Sequence, residues 1–302
     1  MPDPAYHGAI ELGGTKIVLA VGQADGRILQ RTSVATVDPA AVMPQIGEFF
    51  RNCGHRLAGI GVGAFGPIVL DPAAPNYGHL LQTNKPGWSG FDLVGALEQL
   101  LQLPVALVTD VGAAAIAEAH LGALRAAPLG VYLTVGTGIG GAIVLDGRVL
   151  PATLHPEMGH IALARAAEDQ VPSRCQFHAH CAEGLAAGPA ISARFGRTLS
   201  DCAEGGPEHQ LIADYLGQLC ANIVLTLSPH RLVLGGGVGQ TPGLLPRIAQ
   251  AMTRHLGGYA SGPASQAGYL RAPELGQNAG IVGALLCGAL IGPDDARLMK
   301  VA

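Results

Sequence analysis

Apolar residues along this chain come in short runs broken by glycine. Residues 9–12 and 17–21 are β-like runs on either side of Gly13-Gly14-Thr15-Lys16, and Asp25-Gly26 leads into Arg27-Ile28-Leu29. This order predicts strand, glycine turn, strand, turn, strand. It recurs as a run over 131–135, Gly136-Thr137-Gly138-Ile139-Gly140-Gly141, a run over 142–145, and Asp146-Gly147-Arg148-Val149-Leu150. The two segments reading DGR[I/V]L lie 121 residues apart, each closing a meander. We read them as an internal duplication of one β-rich lobe. Two copies do not make a solenoid, which needs about three or more.

Between the meanders, 57–64 (LAGIGVGA) predicts a strand, and 106–110 (ALVTD) another that ends in a threonine and an aspartate. An alanine-rich helix over 113–124 follows directly. Strand, acidic residue, helix is the α/β arrangement in which side chains at strand carboxyl ends face a crevice. Further on, helical spacing over 211–227 precedes a strand over 231–234. Gly235-Gly236-Gly237 then opens a loop before a helix over 242–253, and Gln277-Asn278-Ala279-Gly280 introduces a buried helix. Residues 172–180 are short, polar and irregular. No low-complexity linker separates the halves, so a boundary near 120–130 rests on the repeat alone.

Composition narrows the class. Of 302 residues, 49% are hydrophobic and 13% charged, about half the usual charged share of ~25%. That excludes a disordered chain, which would be charge-rich and apolar-poor. At about 150 residues per domain, the length suggests two domains. The net charge is −4, and only Lys16, Lys85 and Lys300 among the eighteen basic residues are lysines. No basic stripe is present for a nucleic-acid backbone. Mean hydropathy is +0.34, yet the longest apolar run, 280–292, has 13 residues including four glycines, short of the ~18–20 that cross a bilayer. The first ten residues lack a basic stretch followed by an apolar one, so no secretory signal is expected. A cytoplasmic chain without a membrane partner follows, with six cysteines held as thiols.

Glycine turns let backbone N–H groups approach an anion without Cβ interference. Gly13-Gly14-Thr15-Lys16 adds a hydroxyl and an ammonium, and Gly136-Thr137-Gly138 adds a second hydroxyl; two such turns would hold a polyphosphate. Tight hairpins with no ligand are the alternative. Gly136, Gly138 and Gly141 also satisfy G-x-G-x-x-G, but a strand and turn follow where a dinucleotide fold needs a helix. No P-loop pattern occurs. Cys175, His178 and Cys181 are spaced by threes in a polar loop, and an upstream ligand would complete a closed Cys2His2-type zinc site. His155 and His160 are five apart with the glutamate misplaced, which argues against a zinc-protease helix. Incidental thiols are the alternative to a metal. Asp110 is placed either to accept a hydroxyl proton in phosphoryl transfer or to cap the helix starting near Gly112.

Taken together, Glu11-Leu12-Gly13-Gly14-Thr15-Lys16, Thr109-Asp110-Val111, the 136–141 turn, HPEMGH at 155–160, CQFHAHCAEG at 175–184 and Leu234-Gly235-Gly236-Gly237 resemble the ROK family of sugar kinases and repressors, from about 10 to 290. Glu11 before the first turn, Lys85-Pro86-Gly87-Trp88, the TDV triplet and the Cys-x-x-His-x-x-Cys loop resemble its bacterial fructokinase branch. The resemblance implies an α/β fold of the actin-like ATPase (ribonuclease H-like) type, duplicated in two lobes that close over ATP and sugar. The N-terminal lobe would span 1–120, rejoined by a C-terminal helix over 288–302, and the C-terminal lobe 121–287. It implies Asp110 as general base and sugar contacts from Glu157, His160 and Glu183. A structural Zn²⁺ would be held by His160, Cys175, His178 and Cys181. Phosphates would be held at Gly13, Gly14, Thr15, Lys16, Gly136, Thr137 and Gly138, with Gly235, Gly236 and Gly237 flanking the adenosine.

Mg²⁺ would bridge the phosphates, compensating charge that so lysine-poor a chain cannot. A homodimer is the expected assembly. One departure is Gly112, where the branch carries asparagine, which bears on sugar orientation. The resulting expectation is an ATP-dependent hexose kinase acting on D-fructose. Alternatives are a kinase for glucose, mannose or an N-acetylhexosamine, a non-catalytic sugar sensor, and a ROK-type repressor. The first glycine turn starts too early in the chain for a preceding helix-turn-helix.

Overall fold

The computed structural model describes residues 5–259 and 262–290. Ten strands and nine α-helices are assigned among them: β1 (Tyr6–Leu12), β2 (Lys16–Gln23), β3 (Ile28–Ala35), α1 (Pro39–Arg51), β4 (Leu57–Ala64), α2 (Leu93–Leu101), β5 (Val105–Thr109), α3 (Asp110–Leu121), β6 (Leu129–Val135), β7 (Ile139–Leu145), β8 (Arg148–Val149), α4 (Ala182–Ala186), α5 (Gly188–Phe195), α6 (Pro207–Leu227), β9 (Arg231–Gly235), α7 (Gly236–Gly239), α8 (Leu244–Leu256), β10 (Leu270–Arg271) and α9 (Ala279–Ala289). They divide into two units. Described residues of the first lie within 1–120, 148–155 and 277–302; those of the second lie within 121–147 and 156–276. Residues 291–302, most of the expected rejoining helix, lie outside the described residues.

Strand order is β3-β2-β1-β4-β5 in one sheet and β10-β9-β6-β7-β8 in the other. Read from opposite ends the two orders coincide: a central strand pairs antiparallel with the next in sequence (β1 with β2, β6 with β7) and parallel with a later one (β1 with β4, β6 with β9). The duplication read from the glycine turns is therefore a duplication of topology. The copies diverge at their third strand. Asp146 and Gly147 both take positive φ, 49° and 80°, the requirement of a tight two-residue hairpin. There β8 is only two residues long, ending just before Leu150 and Pro151, and proline cannot donate to a ladder. In the first copy the strand continues through Ala35, well past Leu29.

The first core gathers Ile10, Leu12, Ile17, Leu19, Val62 and Trp88. Helix α9 lies against β4 because both are lined with small residues. A Cβ on Gly61 would collide with the α9 backbone at Ala284 and Gly288, so the described part of the glycine-rich apolar run is a buried helix, as its composition predicts. The second core is built on Val131, Leu133, Leu216, Leu219, Leu232 and Ile248. Helix α6, at 21 residues, is long and apolar enough to cross a bilayer, but Ile212, Tyr215, Leu216, Leu219 and Ile223 are buried in this core. Helices α1 and α2 are absent from the glycine-guided reading, although each carries an aspartate N-cap. Asp38 accepts from the Ala40 N–H and Asp92 from the Gly95 N–H, both at 2.9 Å. The expected loop at Gly235-Gly236-Gly237 is corrected. Gly235 ends β9, and Gly236, with φ +82°, begins the single helical turn α7.

Candidate active site

In the first unit, Asp110 follows β5 directly and is the first residue of α3. The cap belongs to its neighbour: the buried Thr109 Oγ1 accepts the Gly112 N–H at 2.9 Å. Asp110 Oδ1 accepts the adjacent Val111 N–H, at 2.8 Å. Helix capping therefore does not account for this carboxylate. Burial pushes its carboxyl above the ordinary aspartate range, against opposing pulls from the Val111 N–H and from His155. Burial also raises Glu11, at the end of β1, with the Asp110 charge adding to it and Arg31 and Lys16 opposing. A raised carboxyl with a second carboxylate acting on it suits a cationic or proton-bearing ligand. A Cβ on Gly112 would stand 3.0 Å from Thr109 Oγ1 and 3.4 Å from Val108 Cβ, so the glycine is closely packed here.

The first glycine turn closes on itself. The Gly13 N–H donates to the Lys16 carbonyl at 3.1 Å, while Thr36 bonds the Gly13 carbonyl through its hydroxyl at 2.7 Å and the Thr15 carbonyl through its N–H at 3.1 Å. The carbonyls are thus drawn toward Thr36. Among the described residues, the N–H groups of Gly14 and Thr15 meet no acceptor. That is the arrangement an anion-binding turn needs.

In the second unit, a cavity of about 610 Å³ is lined by Gly136, Thr137, Gly188, Thr198, Gly237, Val238 and Thr241, among others. That volume falls within the ~300–1,000 Å³ of small-molecule and cofactor sites. It joins the second glycine turn to the third. A Cβ on Gly136 or Gly237 would meet nothing within 4 Å, so at these two positions it is open space, not protein packing, that borders the glycine. Thr241, which the sequence reading passed over, is 4% exposed, and its hydroxyl has no protein partner. A buried unpaired hydroxyl in a cavity wall costs ~1–3 kcal/mol, which a polar ligand would recover. Gly138, Gly235 and Gly236 do not line this cavity. Gly138 instead makes room for Glu183, whose Oε2 accepts the Ile139 N–H at 2.9 Å and would lie 2.7 Å from a Cβ on Gly138.

The four expected metal ligands converge. One donor atom each from His160, Cys175, His178 and Cys181 lies within 4.8 Å of the others. Cys175 Sγ stands 3.8 Å from His160 Nδ1 and 3.6 Å from His178 Nδ1. Ligands at ~2.3 Å (S) and ~2.05 Å (N) on a tetrahedral zinc are about 3.6 Å apart. Donor type, number and spacing therefore fit zinc, with no open position. His160 reaches the cluster through Nδ1, and its Nε2 lies 3.9 Å from Glu157 Oε2. His155 and His180 are not among the four.

Between His160 and Cys175 the chain is pinned by Asp169, another residue the sequence reading missed. Its carboxylate, 2% exposed, accepts from Arg194 at 2.9 and 3.0 Å and from the Tyr215 hydroxyl at 2.7 Å. Arg165 also bonds the Val171 carbonyl. These bonds hold Asp169 below the ordinary carboxylate range even though burial opposes them.

Duplicated sheets, each with a glycine turn after its central strand, define the actin-like ATPase fold. The ROK family model matches residues 7–288, and the chain belongs to the ROK family. It is 37% identical to a fructokinase of Pediococcus pentosaceus, over 92% of this chain and 96% of that one. It is similar to a ROK hexokinase structure from Thermus thermophilus, with a TM-score of 0.78 and 32% identity, covering 94% of this chain and 98% of the other. It is also similar to a ROK family glucokinase from Streptomyces griseus in complex with glucose and AMPPNP, with a TM-score of 0.72 and 25% identity, covering 94% and 99%.

Proposed function

We propose that this protein is an ATP-dependent hexose kinase that converts D-fructose to fructose 6-phosphate. The observation that carries the reaction type is the half-buried Asp110 carboxylate, relieved of capping by Thr109 and with its pKa raised by burial. The similarity to the Pediococcus pentosaceus fructokinase over nearly the full length of both chains supports the choice of sugar.

The sugar 6-oxygen attacks the γ-phosphorus of ATP. A new P–O bond forms as the bond to the β,γ-bridging oxygen breaks, ADP leaves with that electron pair, and the hydroxyl proton passes to Asp110. Glu157, His160 and Glu183 contact the sugar. Gly13, Gly14, Thr15 and Lys16 hold phosphate oxygens through backbone N–H groups, a hydroxyl and an ammonium, and Gly136, Thr137 and Gly138 supply the second turn. The second-unit cavity takes the nucleoside beside Gly237, with Thr241 offering its buried hydroxyl. Gly235 and Gly236 shape the turn that presents Gly237.

Glu11 is the hard oxygen donor beside the first turn that would suit a nucleotide-bound Mg²⁺, which would offset phosphate charge. His160, Cys175, His178 and Cys181 would hold Zn²⁺, which would stabilise the loop between Glu157 and Glu183. With Nδ1 as the ligand, His160 would carry its proton on Nε2, toward Glu157. The protein acts in the cytoplasm, as a homodimer, on small molecules, and needs neither nucleic acid nor membrane.

ADP release across fructose, glucose, mannose and N-acetylated hexosamines tests this reading. Fructose is expected to give the highest kcat/KM. The glucokinase similarity makes glucose the second reading, and turnover of no hexose would overturn both. Sedimentation measures the assembly.

A further inference from the structure

The motif Lys85-Pro86-Gly87-Trp88 has no role in the scheme above, and lysine is scarce in this chain. Lys85 nevertheless stands beside the turn that Lys16 ends. Lys16 ends the first glycine turn, and the Lys85 side chain lies over Gly14, where a Cβ would stand 3.4 Å from Lys85 Cε and 3.5 Å from Nζ. Among the described residues, neither ammonium has a carboxylate within ion-pair distance. Holding an ammonium without an ion pair over unbonded backbone N–H groups is unfavourable unless an anion joins them.

The position of Lys85 is built, not incidental. Trp88 is fully buried, packed edge-on against Phe65 and Phe91. Its N–H closes the turn on the Lys85 carbonyl at 3.2 Å, and its indole N–H donates to the Val37 carbonyl at 2.8 Å. The preceding residue, Thr36, makes both bonds to the glycine turn. The far end of the loop is closed by Ser89, which accepts the Thr83 N–H and donates to the Thr83 carbonyl, both at 3.0 Å. A buried tryptophan thus fixes the lysine loop and the phosphate turn to the same backbone segment. Such preorganisation is what makes a charged group effective in transfer.

We propose that Lys85 is a catalytic residue that binds the terminal phosphate of ATP over Gly14 and stabilises the charge on the phosphoryl group as it moves to the sugar. The role rests on the kinase reading and deepens it, because ADP lacks the phosphate in question. Removing one preorganised charge-stabilising donor lowers turnover by about 10²–10³-fold. In the full-length protein, K85M is expected to lose kcat on that scale. It should weaken AMPPNP by about tenfold or more while leaving ADP affinity within about twofold.

A purely structural lysine would shift ADP and AMPPNP alike and lower the unfolding midpoint. Equal weakening of the two nucleotides, or kcat within about threefold of wild type, would overturn the assignment. Should K85M precipitate, K85Q is read by the same two ratios. If the wild-type chain phosphorylates no hexose, the kinase reading falls, while the AMPPNP-to-ADP ratio still decides the role of Lys85.

Discussion

Replacing Asp110 by Asn separates the chemistry of this residue from its structural part. The amide keeps the side-chain volume and an oxygen to accept the Val111 N–H, 2.8 Å away. Thr109 retains the cap through its bond to Gly112, so nothing in α3 is asked to move. What disappears is the ionisable oxygen. Loss of a positioned general base costs about 10²–10⁴-fold in turnover, or ~3–5.5 kcal/mol of transition-state stabilisation.

Stability moves the opposite way. Burial raises the folded-state pKa of Asp110 above its unfolded value, so between the two the folded state binds more protons. Wild-type stability therefore falls as pH rises through that interval and levels off above it. D110N does not titrate there. It should be more stable than wild type at neutral pH, with the advantage shrinking as pH drops toward the unfolded carboxylate value of ~3.9. Urea unfolding at several pH values, beside ADP release with fructose, measures both. The same elevation places the acidic limb of the wild-type kcat/KM profile above the ordinary aspartate range. Turnover of D110N within about fivefold of wild type, or a loss of stability at neutral pH, would refute the assignment.

Zinc analysis of the purified protein should return one equivalent, lost in C175S; the expected consequence is a raised fructose KM with ADP affinity nearly unchanged, and a metal-free wild type would remove the site. Asp169→Ala leaves the Arg194 side chain, 2% exposed, charged and unpaired, at a cost of ~3–5 kcal/mol readable as a lowered urea midpoint. Because the folded pKa of Asp169 is depressed, its own contribution is present at neutral pH and fades as pH falls through the folded value, so wild type and variant should converge in acid. Thr241→Val removes a hydroxyl with no protein partner. Calorimetry should show ADP binding weakened by about fivefold, with stability unchanged or improved, whereas unaltered affinity would take Thr241 out of the nucleotide site.

How far such a chain can be read from its residues depends on the reach of each interaction. The meanders were legible because glycine turns and alternating apolar runs act over a few residues, and both copies repeat them in the same order. The metal loop was half legible: Cys175, His178 and Cys181 are spaced by threes, but bringing His160 to 3.8 Å from Cys175 took the bridge between Ala162 and Cys181. At Thr109-Asp110 the sequence offers two capping side chains in a row. Only the backbone geometry at Gly112 decides between them, and it gives the cap to Thr109.

Asp38 and Asp92 carried local helix-start signals that attention to glycine passed over. Asp169 and Lys85 are different in kind. The acid draws its partners from 25 and 46 residues away. The lysine is aimed by a tryptophan whose indole bond spans 51 residues to Val37. The acid does not differ in type or spacing from an ordinary surface charge until the fold closes. The partners that hold such residues in place lie too far along the chain for a linear reading to assign, even where, as at Lys85, the residue itself stands out.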